Sequence, residues 1–296
     1  MHVVEHGSAA EFLDRTEAFR AAEPVLTNII GSVATSVVSG RRYEAELWLS
    51  VHEEAAGVPV GIAIRTAPYN LAVSPMPLAA AHALGERLAE IDPALPGVSG
   101  PREIGAAVIA GFAGGLEAHV EMDNKVRVLT ELRTPRDPVP GRARRVHAGD
   151  LDLVTEWMLA FGAEADLHVQ PSRDDMRADL QAADAPAMWL WEVGTTPVSL
   201  GGHAALVHTP GGTVGRIGPI YTPMSQRGRG YGSAITHAIA QVLRDQCQIV
   251  MLFTDASNAT SNSVYARLGF DVVADWVEFT LAPGSAEVTT RASSSG

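Results

Sequence analysis

Residues 217 to 233, IGPIYTPMSQRGRGYGS, place Gly228, Gly230 and Gly232 among Arg227 and Arg229, between an apolar run and an amphipathic one. Glycines let a backbone take positive φ and approach a ligand closely. A helix starting at the next residues presents unpaired N–H groups and the positive end of its dipole. A pyrophosphate suits that combination, and Arg227 and Arg229 can add charge-assisted hydrogen bonds to it. Two other phosphate devices fail on inspection. No Lys-Ser or Lys-Thr follows the glycines, as a nucleoside triphosphate loop requires, and the preceding strand lies in a hairpin series and not in the βαβ lead-in of a dinucleotide site.

The run Arg227-Gly228-Arg229-Gly230-Tyr231-Gly232 resembles the R/Q-x-x-G-x-G/A signature of the GNAT acetyltransferase superfamily. Further along, TDASNATSNSVYARLGF sets Asn258, Ser261, Tyr265, Gly269 and Phe270 in the pattern of that superfamily's second landmark, a helix followed by Gly-Phe. The resemblance covers residues 142 to 282 and implies an acetyltransferase that uses acetyl-coenzyme A as co-substrate. It implies that the strand before the loop and the strand after the next helix splay apart. The pantetheine arm then pairs with backbone at Ile220 and Tyr221, and the cradle of Arg227, Gly228, Arg229, Gly230, Tyr231, Gly232 and Ser233 takes the pyrophosphate. Asn258 and Ser261 are implied in holding the arm, and Tyr265 in protonating the departing thiolate.

An amine attacking a thioester also needs help with its own proton. His203 on a hairpin strand, Asp255 after a buried strand and Glu164 in a helical region are the candidates, and the sequence does not choose among them. Ser261 and Tyr265, four apart, share one helix face. Trp189 and Trp191, read as neighbours in one strand candidate, are expected to face opposite sides, so that at most one lines the acceptor pocket and the other is core.

These residues need a scaffold. In the second half, 142 to 147 reads as a strand, and Gly149-Asp150 opens a helix that continues irregularly to about Ala182. Residues 188 to 193, 197 to 207 and 213 to 221 are three strand candidates divided by the turn signals GTTP and TPGG. Ile235, Ile239, Val242 and Leu243 mark a helix over 231 to 244. The apolar run 249 to 253 is a strand buried on both faces, and a helix from about Thr260 stops at Gly269.

The first half repeats this order in weaker form. LWLSV, PVGIAIRT and YNLAVSPMP stand where MWLWEV, PVSLGGHAALV and VGRIGPIYTPM stand later. At the position of the glycine loop it carries SPMPLAAAHALGER, with prolines at 75 and 77, and it is expected to bind coenzyme A poorly or not at all. The fold class is α+β, with two GNAT-like domains, each a central, mostly antiparallel mixed sheet flanked by helices. Residues 1–133 form the degenerate copy, 134–141 a Pro-rich linker containing Pro135, Pro138 and Pro140, 142–282 the catalytic domain and 283–296 a flexible tail.

Length and composition fit that plan. A chain of 296 residues accommodates two domains, and 46% hydrophobic with 19% charged residues is a globular balance. A formal net charge of −12 removes the electrostatic basis for nucleic-acid or anionic-membrane partners and mildly favours a small amine-bearing substrate. Cys247 is the only cysteine and the ten histidines show no ligand spacing, so neither a disulfide nor a metal is expected. The acidic amino-terminal residues and the lack of an apolar stretch of about 20 residues imply a cytoplasmic setting. The assembly state is open, a homodimer included. The function read from the sequence is acyl transfer to an amine, with a non-catalytic acyl-coenzyme A sensor or a longer acyl donor as alternatives.

Overall fold

The computed structural model describes residues 1–54, 57–112, 116–136, 138–165, 172–174, 176–177 and 187–283. The expected tail, apart from residue 283, and much of the helical stretch expected up to Ala182 lie outside these residues.

The first half runs β1 (His2–Glu5), α1 (Ala9–Arg15), α2 (Glu17–Ala22), α3 (Asn28–Val38), β2 (Glu46–His52), β3 (Gly61–Thr66), β4 (Leu71–Val73), α4 (Leu78–Ile91), β5 (Gly97–Gly100), α5 (Arg102–Phe112) and β6 (Leu116–Leu129). The second runs β7 (Arg142–Arg145), α6 (Leu151–Glu164), β8 (Ala187–Val193), β9 (Thr196–His203), β10 (Val207–Thr209), β11 (Gly212–Tyr221), α7 (Tyr231–Arg244), β12 (Ile249–Asp255), α8 (Ala259–Leu268) and β13 (Phe270–Pro283). Each half builds an antiparallel meander, β1-β2-β3-β4 or β7-β8-β9-β11. A helix then leads to a parallel strand, β5 beside β4 or β12 beside β11. The repeat seen in the sequence is thus a repeat of topology.

The two sheets are fused into one. Its order is β1-β2-β3-β4-β5-β13-β6-β12-β11-β9-β8-β7, with β10 alongside β11. Each half lends its long last strand to the other: β6 pairs with β12, and β13 pairs with β5, while β6 and β13 pair together antiparallel. Trp276, 1% exposed, donates its indole N–H from β13 to Ser99 Oγ on β5 at 2.7 Å. A second tie crosses the halves at α3, where Arg216 on β11 donates to Asn28 Oδ1 at 3.0 Å and Ser32 Oγ at 3.1 Å. Burial lowers the Arg216 pKa to about 10.

Helical period decides which faces are covered. On α7, Ile235, Ile239 and Leu243 are fully buried and pack with Ile217, Leu252 and Trp189 on one face of the sheet. On α6, Leu151, Val154 and Trp157 pack with Leu190, Leu200 and Tyr221 on the opposite face. Burying such side chains supplies most of what holds these helices in place, since helices of this length are marginal alone. Arg144 on β7 anchors the start of α6 through a bidentate pair with Asp150, at 2.6 and 2.8 Å, and a bond to Glu192 at 2.7 Å. The hydrogen-bonded Arg144 guanidinium is the main cause that holds the Asp150 carboxyl below its usual range.

Candidate active site

Strands β11 and β12 pair in parallel from Val214 with Ile249 to Ile217 with Leu252, and there the pairing stops. Beyond that point β11 follows β9, through Ile220 with Gly201 and Tyr221 with Leu200, while β12 follows β6 as far as Asp255 with Asn124. A bulge between Ile217 and Ile220 turns β11 away. The separation implied by the resemblance is therefore present, with Ile220 and Tyr221 on its β11 side.

The glycine loop leads from this separation into α7. Gly228 and Gly230 have φ of +75° and +84°, and Gly230 is the residue that caps α7 without a side chain. A Cβ on Gly230 would stand 2.9 Å from Val139 Cγ1, so the position disfavours any larger residue twice over. Gly232 differs from the expectation for the loop: it sits in the first helical turn with ordinary φ. A Cβ there would meet nothing closer than 3.4 Å, so its value lies in the close approach it leaves open. Among the described residues no acceptor meets the N–H groups of Tyr231, Gly232 and Ser233, whereas Ala234 already donates to Gly230. Those donors fit an anion. Arg229 is exposed beside them. Arg227 is turned the other way, donating from Nε to the Thr222 carbonyl at 2.9 Å and pairing with Glu164 at the end of α6.

After β12 the chain makes a tight turn into α8. The Asp255 carboxylate accepts from Ser257 N at 2.8 Å and Ser257 Oγ at 2.7 Å, and Asn258 Oδ1 caps the helix by accepting from Ser261 N at 3.0 Å. Asn262, which is not among the residues that carry either sequence landmark, ties this turn together. Its amide donates to the carbonyls of Asp255 and Asn258, each at 2.9 Å, and its Oδ1 accepts from Arg127 of β6 at 2.9 Å. A second asparagine four positions after the cap was the available signal. Tyr265 lies one turn further, half-buried, edge-on to Phe270 at 6.2 Å. Burial pushes its phenol up to about 12, against a smaller downward pull from Arg127.

The structure keeps His203 out of this group. It is 7% exposed, donates Nδ1–H to the Ala204 carbonyl at 2.7 Å and lies against Trp189 at 5.2 Å on the α7 face. Burial lowers its pKa. Such a histidine is a packed structural residue. Trp189 and Trp191 also depart from expectation. Being two apart in a strand they share a face, both pack on the α7 side, and Trp191 donates to the Pro140 carbonyl at 3.0 Å.

On the α6 side a cleft of about 560 Å³ opens at the ends of the separated strands, lined by Val120 to Asp123 of β6, Glu164 and Ala165, and Asp255 to Ser257. Tyr221 reaches its edge, donating to Glu164 Oε1 at 3.3 Å. Burial first, then the Glu164 charge, raises the Tyr221 pKa. Of the three proton-acceptor candidates, Asp255 and Glu164 line this cleft and His203 does not. In the first half, Met76, 9% exposed, precedes Pro77 at the start of α4 and packs against Gly61 of β3, where a Cβ would stand 2.6 Å from it.

The chain is similar to known proteins in sequence and in fold. A family model described as FR47-like protein matches residues 203–278, which contain both the loop and the Asn258–Tyr265 helix. A mycothiol acetyltransferase from Salinispora tropica is 35% identical over 172 residues, covering 51% of this chain and 54% of the relative. The chain spans between 38% and 54% of the length of the curated relatives it matches. A Drosophila protein structure superposes with a TM-score of 0.64 at 12% identity, covering 96% of this chain and 99% of that one. A GCN5-related N-acetyltransferase from Kribbella flavida does so at 0.55 and 15% identity, covering 86% and 95%. The fold is that of the GNAT acetyltransferases, and the resemblance read from residues 227–232 and 258–270 holds.

Proposed function

We propose that this chain is an acyl-coenzyme A-dependent N-acyltransferase that moves an acetyl group from acetyl-coenzyme A to the amine of a small molecule by direct attack. The observation that carries this reading is the parting of β11 and β12 beyond Ile217 and Leu252, beside the unpaired N–H groups of Tyr231, Gly232 and Ser233. An extended pantetheine arm can pair with a strand edge left free in this way, and the helix start takes the pyrophosphate. Arg229 adds charge, and Ile220, Tyr221, Asn258 and Ser261 border the arm. The acetyltransferase names of the matched relatives support the acetyl group.

The parted strands open the sheet to both faces. Tyr265 stands on the α7 and α8 face, and the acidic cleft stands on the α6 face. The amine enters from the cleft and attacks the thioester carbonyl, and the thiolate leaves towards Tyr265. A phenol raised to about 12 is fully protonated at neutral pH, and its proton moves as the carbon–sulfur bond breaks. Residues 1–133 act as a companion unit that no longer holds coenzyme A but walls the cleft through β6, with 142–282 as the catalytic unit and 134–141 as the join.

Calorimetry with acetyl-coenzyme A, followed by thiol release across a panel of amines, tests the reading. Binding together with release is expected. Binding without release on any amine would make the chain an acyl-coenzyme A sensor, and stronger stabilisation by a longer acyl donor would replace acetyl. Unchanged binding in Gly230→Val would remove the loop assignment.

A further inference from the structure

We propose that Glu164 is the carboxylate that receives the acceptor's ammonium group, and that Arg227 covers it until the donor's phosphates draw the guanidinium away. This rests on the acyltransferase reading above. Glu164 ends α6 and faces the cleft together with Glu121, Asp255 and Asp123, the last already paired with Arg102 at 2.8 Å. Asp255 is engaged by its own turn through Ser257. Glu164 is held differently: Oε1 accepts from the Tyr221 hydroxyl, and Oε2 is paired with Arg227.

Arg227 reaches Glu164 from the first position of the phosphate loop, with its guanidinium carbon 6.0 Å from the Tyr221 ring centre. The pair is well exposed, 44% for Arg227 and 41% for Glu164. An exposed pair is held weakly, and a phosphate group offers more negative charge and more acceptor oxygens than one carboxylate. Donor binding therefore shifts Arg227 towards the loop. Glu164 stays oriented by Tyr221, at the mouth of the parted strands, with a vacant charge partner. The acceptor's ammonium takes Arg227's place and passes one proton to Glu164, which becomes a carboxylic acid and returns that proton to solvent. The neutral amine attacks the thioester carbonyl. The nitrogen's second proton goes to solvent as the tetrahedral species collapses, the departing sulfur receives one from Tyr265, and the tyrosinate takes one back from solvent, so one amide, one thiol and one released proton result.

The competition gives a test that needs no acceptor. Calorimetric titration of the full chain with coenzyme A at low salt is expected to show Glu164→Gln binding about two- to fivefold tighter than the unaltered protein, since an exposed pair is lost. Arg227→Met is expected to bind about tenfold weaker, and adding Glu164→Gln to it changes nothing further. With a turned-over amine, Glu164→Gln lowers kcat/KM by about a hundredfold while its coenzyme A affinity rises. Equal coenzyme A affinity in Glu164→Gln, or a gain that persists in the Arg227→Met background, overturns the cover. Unchanged kcat/KM overturns the carboxylate's role. If the unaltered protein does not bind coenzyme A, the acyltransferase reading itself falls and the cover falls with it.

Discussion

Arg127, on the last strand of the first half, donates from Nη2 to Asn262 Oδ1 at 2.9 Å and from Nη1 to the Phe270 carbonyl at 3.1 Å. It is 8% exposed and so holds the helix bearing Tyr265 from the other half of the chain. Arg127→Met keeps the apolar stem but leaves both acceptors with poorer partners. A loss of about 1–3 kcal/mol in unfolding free energy follows from stranding buried acceptors, measured by urea denaturation. A loss below about 0.5 kcal/mol would show that Asn262 is held by its own turn alone.

Tyr265 supports a prediction about alkaline pH. Its pKa is raised from 10 to about 12, so the stabilisation that goes with the protonated phenol is complete below pH 10 and is lost as pH rises through about 12. Tyr265→Phe is expected to flatten the fall of the melting temperature between pH 10 and 12. The same variant should lower kcat by about a hundredfold and leave coenzyme A affinity near its original value. An unchanged kcat would make the tyrosine a packing residue against Phe270.

The helices and strands that were legible have local signals, whereas β1, α1 to α3 and β5 were not read from the sequence. The spacing of Ile235, Ile239 and Leu243 gives α7, and Gly269, with φ of +97° and a would-be Cβ 1.8 Å from the Glu131 carbonyl, ends α8 where only glycine fits. The exchange of β6 and β13 was not legible. Their alternation fixes which face each residue takes but not which strand lies beside them, and partners such as Lys125 and Asp275 are 150 positions apart. At the site, the glycines of the loop were readable for the same local reason. The aim of Arg227 was not, because a long exposed side chain is placed by what surrounds it, here Glu164 and the Thr222 carbonyl.

His203 yields a prediction in the opposite pH direction. Burial lowers its pKa below 6.5, so the stabilisation it carries is present above pH 6.5 and is lost as pH falls through the lowered folded value. His203→Asn, whose amide can donate to the Ala204 carbonyl in place of Nδ1, should show a shallower decline in melting temperature from pH 7 to 5. His6 and His237, lowered chiefly by burial as well, account for the slope that remains. Turnover within about threefold of the original is expected. A loss of about a hundredfold with unchanged stability would return the residue to catalysis.

The fused sheet predicts how the chain unfolds. Strand β6 has β12 on one side and β13 on the other, and β13 has β5 beyond it, so removing either half strips a long strand of its backbone partners. Val126, fully buried, and Trp276 would lose their cover at the same time. Unpaired backbone groups on a buried strand are costly and invite aggregation. The intact chain should therefore melt in one transition, with the calorimetric enthalpy equal to the van't Hoff value. Residues 1–133 made alone should not give the dispersed amide spectrum of a folded domain. Two resolved transitions, or a folded first half in isolation, would mean that the exchanged strands contribute little and that each half can close its own sheet. The linker at 134–141 would then be the true division of the molecule, and the acidic cleft walled by Met122 and Asp123 would depend on how two independent bodies meet.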